Sequence, residues 1–384
     1  MFDIFDCCVI GAGAMGSATA YHLARGGKSV LLLEQFEVGH ENGSSHGNSR
    51  IFRLSYEDTV YVSLARAAKP MWLALEAEAK QKLFFLTGGL DLGEPGSPVF
   101  EDCMKAMKAE SVEYEVLNAN QIRSRFPQFH IGDSITGIYQ NDTAVLNAVE
   151  CVKSMTALAC KSGAVLKENS PVVKLKNHDG IAEIATATEN YRARTVVISA
   201  GAWANSLLSH LNMQLPLQVR KEQYLFFTAR KPDIFKPGKM PVFLEYGCGE
   251  TDIIGMYGFP LLEMNAVKVA AHQRGPYIDL SQRSFDLELD GAADVERYVR
   301  RRFGDALGEV VASKTCLYTN TPDQHFVIDK VPGHENIILS SPCSGHGFKF
   351  AIIIGKIAAQ LATEGRSQRS LSLFEISRLT TVQS

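Results

Sequence analysis

The sequence predicts a mixed α/β fold in which a helix-covered, mostly parallel sheet is joined to a second, largely antiparallel sheet. An apolar run at residues 5–10 leads directly into GxGxxG and a helix. A second apolar run at residues 195–199 ends in the small-residue turn AGAW. Between residues 215 and 318 the pattern changes to runs with period-two alternation, which is typical of an antiparallel sheet.

The first strand, loop and helix indicate a dinucleotide site. One glycine makes the tight turn, one lets the backbone approach a pyrophosphate, and one lets the helix pack closely on the strand. The next apolar run, residues 29–33, ends at Glu34 and Gln35, where an acidic side chain about twenty residues after the glycines can bind a ribose hydroxyl. This pattern alone leaves both NAD and FAD open. The candidate contacts in the loop are Gly11, Ala12, Gly13, Ala14, Met15 and Gly16.

Composition narrows the class of partner. The chain has 384 residues, 46% of them apolar, and a formal net charge of −3, which allows a large core and two closely connected domains. Such a charge provides no basic surface for nucleic acid or an anionic membrane. We therefore expect a small-molecule partner, with no nucleic acid and no membrane.

Cysteine usage and the chain ends bear on compartment and metals. The eight cysteines form no CxxC pair, and the ten histidines form no HxxxH or HExxH motif, so we expect no metal site. No leader segment, membrane-length apolar run or peroxisomal tail is recognisable. The expectation is a cytoplasmic protein with reduced thiols.

The elements between the glycine motif and residue 215 follow from local patterns. Residues 36–56 read as a long loop, and such loops usually bind ligands; this one contains Arg50 and Arg53 among apolar neighbours. Further on, we predict helices at 61–77, 100–108, 119–125 and 145–162, and strands at 84–92, 164–166, 172–176, 182–186 and 195–199.

The last third of the chain returns to the first pattern. After the antiparallel runs and a helix at residues 293–303, the chain ends in a strand, a glycine-rich turn and a long apolar helix. The strand ending at AGAW and this final unit indicate that the nucleotide-binding sheet is assembled from distant segments.

Six sequence blocks together resemble the monomeric sarcosine oxidase family, which includes N-methyltryptophan oxidase, pipecolate oxidase and the fructosyl amino acid oxidases. The blocks stand in the family's order and span residues 4 to 363, and the last two are the most specific. They are GAGAMG, SSHGNSRIFRLSY, MYGFP, VKVAAH, TCLYTNTPDQHFVID and SGHGFKF.

The resemblance implies a fold like the glutathione-reductase class of FAD proteins, with a discontinuous FAD domain and a mixed, largely antiparallel catalytic domain. We assign residues 1–83, 145–214 and 320–384 to the FAD-binding domain, and residues 84–144 and 215–319 to the substrate domain.

The resemblance also implies covalent FAD, joined through its 8α carbon to the sulfur of Cys316. Considered alone, Cys316 has the alternative of a buried core cysteine. A thiolate forms such a bond, so we expect nearby positive charge to lower the pKa of this thiol. The other implied cofactor residues, beyond the first loop, Glu34 and Gln35, are Ser45, His46, Arg50, Val173, Ala200, Gly201, Trp203, Gly345, His346, Gly347 and Lys349.

For the substrate, the resemblance implies that Arg53 and Lys349 bind a carboxylate. Lys268 and His272 are four residues apart on one predicted strand and face one side. By resemblance the lysine assists oxygen reduction beside the flavin, and the histidine lies near the substrate amine. Tyr257 and Tyr318 line the substrate cavity, and Arg50 lies near the flavin with a catalytic role; considered alone, either tyrosine is more often a core residue.

The implied activity is that of an FAD-dependent amine oxidase, in a monomer. It oxidises a secondary amino acid, N-methyl or cyclic, to an imine and reduces oxygen to hydrogen peroxide. The alternatives are a dehydrogenase of the same fold with another electron acceptor, and an oxidase of larger N-substituted or glycated amino acids. Leu54 and the Ser341-Pro342-Cys343 segment depart from the family pattern, so the substrate side chain stays open.

Overall fold

The computed structural model describes residues 4–247, 254–341 and 343–380. The strands, numbered in chain order, are β1 Ile4–Ile10, β2 Val30–Leu33, β3 Arg50–Phe52, β4 Phe84–Leu86, β5 Gly89–Gly93, β6 Glu115–Leu117, β7 Thr136–Gln140, β8 Ala144–Leu146, β9 Val165–Lys167, β10 Val172–His178, β11 Ile181–Thr186, β12 Asn190–Ile198, β13 Gln218–Ala229, β14 Val242–Tyr246, β15 Ile254–Glu263, β16 Ala266–Ala271, β17 Leu307–Asn320, β18 Ile328–Val331 and β19 His334–Ser340. The α-helices are α1 Ala14–Arg25, α2 Thr59–Ala79, α3 Pro98–Ala109, α4 Ala119–Arg125, α5 Ala148–Lys161, α6 Ala204–Leu208, α7 Leu289–Phe303, α8 Ala351–Glu364 and α9 Ser377–Thr380.

The first sheet has β1 near its centre, parallel to both β12 and β2. Side chains of β1 alternate between two cores: Cys7 and Val9 face one, and Cys8 and Ile10 face the other. Burial on both faces explains why this strand is a continuous apolar run. The carboxyl ends of the three parallel strands therefore meet at one edge, beside the glycine loop.

The end of the chain completes this sheet, as the sequence predicts. Strand β19 pairs in parallel with β12, and α8 packs against α1. Helix α5 contacts the same α1 helix. Pieces from the start, middle and end of the chain thus form one unit around the first sheet.

The second sheet follows the order β17-β13-β16-β15-β14-β5-β7-β6 and is antiparallel except where β14 meets β5. Side chains of β13 alternate here too. Leu225 and Phe227 belong to the core beneath α7, whereas Tyr224 and Phe226 belong to a small cluster on the other face with Cys316. The period-two pattern in this region therefore reflects two different apolar environments.

A third, three-stranded sheet, with the order β3-β8-β4, corrects two local predictions. Residues 144–146, which include the start of the predicted 145–162 helix, are strand β8, because they pair with β3 and β4. The predicted 36–56 loop contains β3. Strands of the first sheet fall within the segments assigned to the FAD domain, and the domain boundaries themselves stay a prediction.

The described residues contain neither a membrane-spanning helix nor a cluster of metal-binding side chains. No helix in these parts of the chain has both the length and the apolar character needed to cross a bilayer. The same residues contain no cluster of three or more histidine, cysteine or carboxylate side chains suited to holding a metal ion.

Candidate active site

One long cavity passes from the carboxyl edge of the first sheet to the inner face of the second, and most predicted site residues line it. The predicted residues on its wall are Gly11, Ala12, Gly13, Ala14, Met15, Glu34, Gln35, Ser45, Arg50, Arg53, Ala200, Gly201, Trp203, Tyr257, Lys268, His272, Cys316, Tyr318, Gly345, His346, Gly347 and Lys349.

Three predicted cofactor residues do not line this cavity. The side chain of Val173 is 53% exposed, and its neighbour Val172 lines the cavity instead. His46 is buried behind the wall, where its ring lies 6.3 Å from that of Tyr224. Gly16 is a packing residue, because a Cβ there would overlap the carbonyl oxygen of Gly11.

The glycine loop is built for close backbone approach. Gly11 has φ +99°, and a Cβ on it would lie 2.6 Å from the Ser199 carbonyl oxygen at the end of β12. A Cβ on Gly13 would lie 3.2 Å from Ser45 Oγ. A side chain at Gly11 would therefore collide with the segment after β12, and one at Gly13 would press on Ser45, whose Oγ accepts from the backbone N–H of Ala14 at the start of α1. The glycines thus keep the loop close to the N-terminus of α1, and a helix N-terminus favours phosphate.

Glu34 is fixed where β2 ends. Its carboxylate accepts hydrogen bonds from the backbone N–H of Ala12 at 2.7 Å and of Phe36 at 3.0 Å. His40 Nε2 lies 3.5 Å from the same carboxylate. The carboxylate is thus held beside the glycine loop, as a ribose-binding residue requires.

Arg53 lies at the far end of the cavity and is buried. Its guanidinium donates hydrogen bonds to Tyr246 at 2.9 Å, to Ser55 Oγ at 3.1 Å, and to the Ser55 carbonyl oxygen. Burial raises the pKa of the nearby Asp91 carboxyl to about 6, while Arg53 acts in the opposite direction. Arg53 is therefore a charged group held in one orientation by neutral and weakly acidic partners.

Lys349 lies beside Arg53, with Tyr56 between them. Lys349 Nζ donates to the Tyr56 hydroxyl at 2.7 Å and to the His346 carbonyl oxygen at 2.9 Å. The Arg53 guanidinium carbon is 4.2 Å from the centroid of the same tyrosine ring. Burial, Arg53 and Arg50 all lower the pKa of Lys349 well below its ordinary value. Two buried cations so close together favour an anionic ligand.

A polar aromatic cluster faces these cations. His272 Nδ1 lies 3.5 Å from the Tyr318 hydroxyl, and the hydroxyls of Tyr318 and Tyr257 are hydrogen-bonded. Burial, then Arg53 and Lys349, lower the pKa of His272 to about 3. The imidazole is consequently neutral near pH 7 and can accept a hydrogen bond from an amine.

Cys316 lies on β17, and its thiol is buried in the wall of the cavity. Burial raises the pKa of Cys316 above its ordinary value, although Arg50 and Lys268 act to lower it. The expected positive charge is therefore present, but the expected net lowering of this pKa is wrong for the protein alone, because desolvation of a thiolate, together with Glu222, outweighs the three cations Arg50, Lys268 and Arg283.

Several cavity residues were not predicted as site residues. Tyr56 and Ser49 stand in the same SSHGNSRIFRLSY block as the two arginines. Their position next to Arg53 and Arg50 in the sequence could have identified them as candidate cavity residues. Cys343, from the segment that departs from the family pattern, also lines the cavity, while Pro342 lies outside the described residues. Nothing local in the sequence distinguishes Val172 from Val173, because their orientation depends on strand register.

Comparison with known proteins shows the family of this chain. Residues 6–361 match the model of the family described as FAD dependent oxidoreductase. A monomeric sarcosine oxidase from Bacillus sp. (strain NS-129) is 34% identical, with 97% of each chain covered. The peroxisomal sarcosine oxidase of Homo sapiens is 32% identical over 98% of this chain and 96% of its own. An N-methyl-L-tryptophan oxidase from Salmonella arizonae is 30% identical over 98% and 99%.

Solved structures share the fold. NikD, described as an unusual amino acid oxidase essential for nikkomycin biosynthesis, superposes with a TM-score of 0.85 at 24% identity, with 97% of each chain covered. An L-proline dehydrogenase from P. horikoshii superposes with a TM-score of 0.86 at 19% identity, with 98% of each chain covered. At these identities the likeness extends to the arrangement of strands and helices.

Proposed function

Because the chain belongs to the FAD-dependent oxidoreductases and, within them, to the monomeric sarcosine oxidase family, we propose that it oxidises a secondary amino acid at its C–N bond. The substrate carries an N-methyl group or a cyclic amine, oxygen is the electron acceptor, and hydrogen peroxide is released. The protein acts as a monomer in the cytoplasm.

A single observation supports this proposal most strongly. The cavity that begins at the glycine loop and Glu34 ends at two buried cations, Arg53 and Lys349. A dinucleotide at one end would therefore direct its reactive ring toward a site that prefers a carboxylate.

The residues present fit FAD. The glycine loop leaves its space open to a pyrophosphate, and Glu34 is fixed beside it. Within the described residues, the buried hydroxyls of Ser199 and Tyr224, both on the cavity wall, have no hydrogen-bond partner, so a polar ligand could satisfy them. When bound, FAD supplies the chemistry, accepting two electrons from the substrate and passing them to oxygen.

Arg53 and Lys349 bind the substrate carboxylate and thereby select amino acids over simple amines. An arginine fork suits a planar carboxylate, and Arg53 is already held by Tyr246 and Ser55. His272, neutral at working pH, accepts a hydrogen bond from the amine and orients it, while burial and the nearby charge of Arg53 favour the unprotonated form of the amine. Tyr257 and Tyr318 form the wall around the carbon–nitrogen bond.

Cys316 holds the flavin covalently, through a thioether between Sγ and the 8α carbon. Arg50, whose guanidinium donates to the carbonyl oxygens of Ser44, His46 and Ser49, provides positive charge beside this cysteine and the flavin. Forming this thioether would break the S–H bond of Cys316 and one C–H bond of the 8α methyl group, and the electron pair released would be taken up by the bound FAD and passed to oxygen.

Lys268 provides a fixed positive charge where oxygen is reduced. Its Nζ is buried, and it lines the cavity near Cys316. A preorganised charge of this kind stabilises negative charge as it develops, without the cost of reorienting solvent.

Two alternatives stay within the same fold. A dehydrogenase would use the same substrate site but pass electrons to an acceptor other than oxygen. An oxidase of larger N-substituted or glycated amino acids is favoured by Cys343 on the cavity wall, since a small side chain leaves more room there.

The decisive experiment is an anaerobic panel in which bleaching of the flavin absorbance is followed with each candidate substrate. Sarcosine, pipecolate, proline, N-methyltryptophan and a fructosyl amino acid are compared with dimethylamine, which lacks the carboxylate. Rapid bleaching by an amino acid, with none by dimethylamine, supports the proposal.

Three outcomes separate the alternatives. Bleaching followed by peroxide formation in air identifies an oxidase, whereas bleaching with negligible peroxide identifies a dehydrogenase. If no compound with a secondary amine and a carboxylate bleaches the flavin, the proposed substrate class is wrong.

A further inference from the structure

The ammonium group of Lys268 is held by a serine from a distant loop. Lys268 is 3% exposed, and its Nζ donates to Ser49 Oγ at 3.0 Å and lies 3.5 Å from the Ser49 carbonyl oxygen. Nζ is also 3.8 Å from the centroid of the Tyr224 ring. The face of the Tyr224 ring and the serine thus stabilise the charged form of the amine.

The same serine reaches a carboxylate. Ser49 Oγ lies 3.1 Å from Glu263 Oε2 and donates its single hydroxyl proton there. A hydroxyl can accept from an ammonium group while donating to a carboxylate. Lys268, Ser49 and Glu263 therefore form a consistent chain from cation to anion, with the hydroxyl dipole aligned along it.

The β15–β16 hairpin explains why Glu263 stands there. Its two turn residues, Met264 and Asn265, have φ of +55° and +51°, the conformation that two-residue hairpin turns of type I′ require. This turn pairs Glu263 with Ala266. Lys268 follows Ala266 by two residues and points to the same face, which makes Glu263 its diagonal neighbour.

The charge around Lys268 is mostly positive. The pKa of Lys268 is lowered to about 7, by burial most of all and also by Arg50 and Lys314, against the opposing effects of Glu263 and Cys316. Tyr224 and His46 also face this group, but Tyr224 has a pKa raised by burial and His46 a pKa of about 3, so both are neutral near pH 7. Glu263 therefore supplies negative charge where several cations oppose protonation.

We propose that Glu263 is a positioning residue for Lys268, holding the ammonium group at the cavity wall through Ser49 and keeping it protonated in the working enzyme. The inference deepens the proposed function, since it assigns a support to the lysine placed at the oxygen site. Glu263 itself does not line the cavity, so it acts on the site through Ser49.

The first test measures the titration of Lys268 directly in the holoenzyme. Lysine labelled with ¹³C at Cε is followed by NMR across pH, and the Lys268 signal is assigned by its absence in Lys268→Met. In Glu263→Gln the pKa of Lys268 should fall by about one pH unit. This is the size expected when a negative charge is lost that is separated from the ammonium group by one bridging serine, in partly solvated surroundings. Glu94→Gln, which removes an exposed carboxylate elsewhere, should leave it unchanged.

Two further variants separate charge from folding. Glu263→Asp keeps the charge and should keep the pKa of Lys268 closer to that of the wild type than Glu263→Gln does. Ser49→Ala removes the bridging hydroxyl and should lower this pKa while Glu263 stays in place. An unchanged Lys268 titration in both Glu263→Gln and Ser49→Ala overturns the inference.

The second test is the pH profile of flavin reoxidation by oxygen. Protonated Lys268 is lost as pH rises through its pKa, so the rate should fall along that limb, and in Glu263→Gln the midpoint should move to lower pH with the NMR titration. If the flavin of Lys268→Met is reoxidised as fast as that of the wild type, the proposed role of Lys268 in oxygen reduction is wrong. A shifted Lys268 titration in Glu263→Gln would still support the influence of Glu263 on Lys268. If Lys268→Met slows flavin reoxidation but the pH profile of Glu263→Gln keeps the wild-type midpoint, the role proposed for Glu263 is wrong and the role proposed for Lys268 stands.

Discussion

Lys349 donates a 2.7 Å hydrogen bond from Nζ to the hydroxyl of Tyr56. The guanidinium of Arg53 lies against the face of the same ring, 4.2 Å from its centroid. One aromatic side chain thus separates two buried basic groups and contacts both. Because like charges repel strongly when desolvated, a ligand carboxylate beside this pair would relieve an unfavourable arrangement.

Binding of a carboxylate should therefore be coupled to proton uptake. In the free protein the pKa of Lys349 is lowered by burial, Arg53 and Arg50. An adjacent ligand carboxylate raises this pKa. At a pH between the pKa of the free protein and that of the complex, up to about one proton is therefore taken up on binding. Affinity should decline as pH rises. The measurement is calorimetry of propionate binding in buffers of different ionisation enthalpy.

Lys349→Met is the matching variant for this experiment. It should abolish the buffer-dependent part of the binding enthalpy while Arg53, whose pKa lies well above its ordinary value, still contributes affinity. Proton uptake that persists in Lys349→Met would show that another group titrates.

Tyr56→Phe should weaken productive substrate binding without unfolding the protein. The ring and its contact with Arg53 stay, but Lys349 loses the hydroxyl that orients its ammonium group, at a cost of about 1–2 kcal/mol, or roughly a five- to thirty-fold fall in kcat/KM. Steady-state kinetics with the best amino acid substrate measures it. An unchanged kcat/KM would mean that Lys349 is oriented by the His346 carbonyl oxygen alone.

Replacing Cys316 with Ser should leave FAD bound but releasable. A serine hydroxyl is far less acidic and nucleophilic than a thiol, so the thioether cannot form. Mass spectrometry of denatured protein should find the mass of FAD on the wild-type peptide that contains residue 316 and no flavin on the variant. Cys343→Ser is the control, because Cys343 also lines the cavity, and this variant should keep its covalent flavin.

Lys268→Met should slow reoxidation of the flavin by oxygen much more than reduction by substrate. A preorganised charge of this type is worth about 3–4 kcal/mol, which corresponds to roughly 10²- to 10³-fold in rate. Stopped-flow measurement of the two half-reactions separates them. Lys330→Met, at a lysine paired with Glu335 on the surface, should change neither, and equal slowing of both half-reactions by Lys268→Met would contradict the assignment.

Gly16→Ala should destabilise the protein even though Gly16 does not line the cavity. Its new Cβ would overlap the Gly11 carbonyl oxygen, and relieving such overpacking costs about 1–3 kcal/mol. Thermal unfolding and flavin content should both fall. Gly132→Ala is the control, because a Cβ at that position meets no other atom within 4 Å; a variant at Gly16 as stable as this control would contradict the packing role.

The family resemblance, the fold class and the FAD-dependent enzyme class predicted from the sequence are confirmed by the comparisons. Most of the predicted site residues line one cavity, because they stand in short blocks that are each carried by one loop or strand end; their roles stay a prediction. Of the three predicted residues that do not line it, Gly16 packs against Gly11 and His46 is buried behind the wall, whereas the side chain of Val173 is turned outward. Val173 and Val172 differ in this way because side chains alternate along a strand, and the sequence does not reveal which face is turned inward.

What the sequence alone determined was the identity of the binding elements: a glycine loop that admits phosphate, an acidic residue after the next strand, and cations in apolar surroundings. Only the tertiary structure decided which of them meet. Lys349 and Tyr56 are 293 residues apart, and Glu263 and Ser49 are 214 residues apart. Such contacts depend on how sheets and hairpins pack together, and no local periodicity encodes that packing.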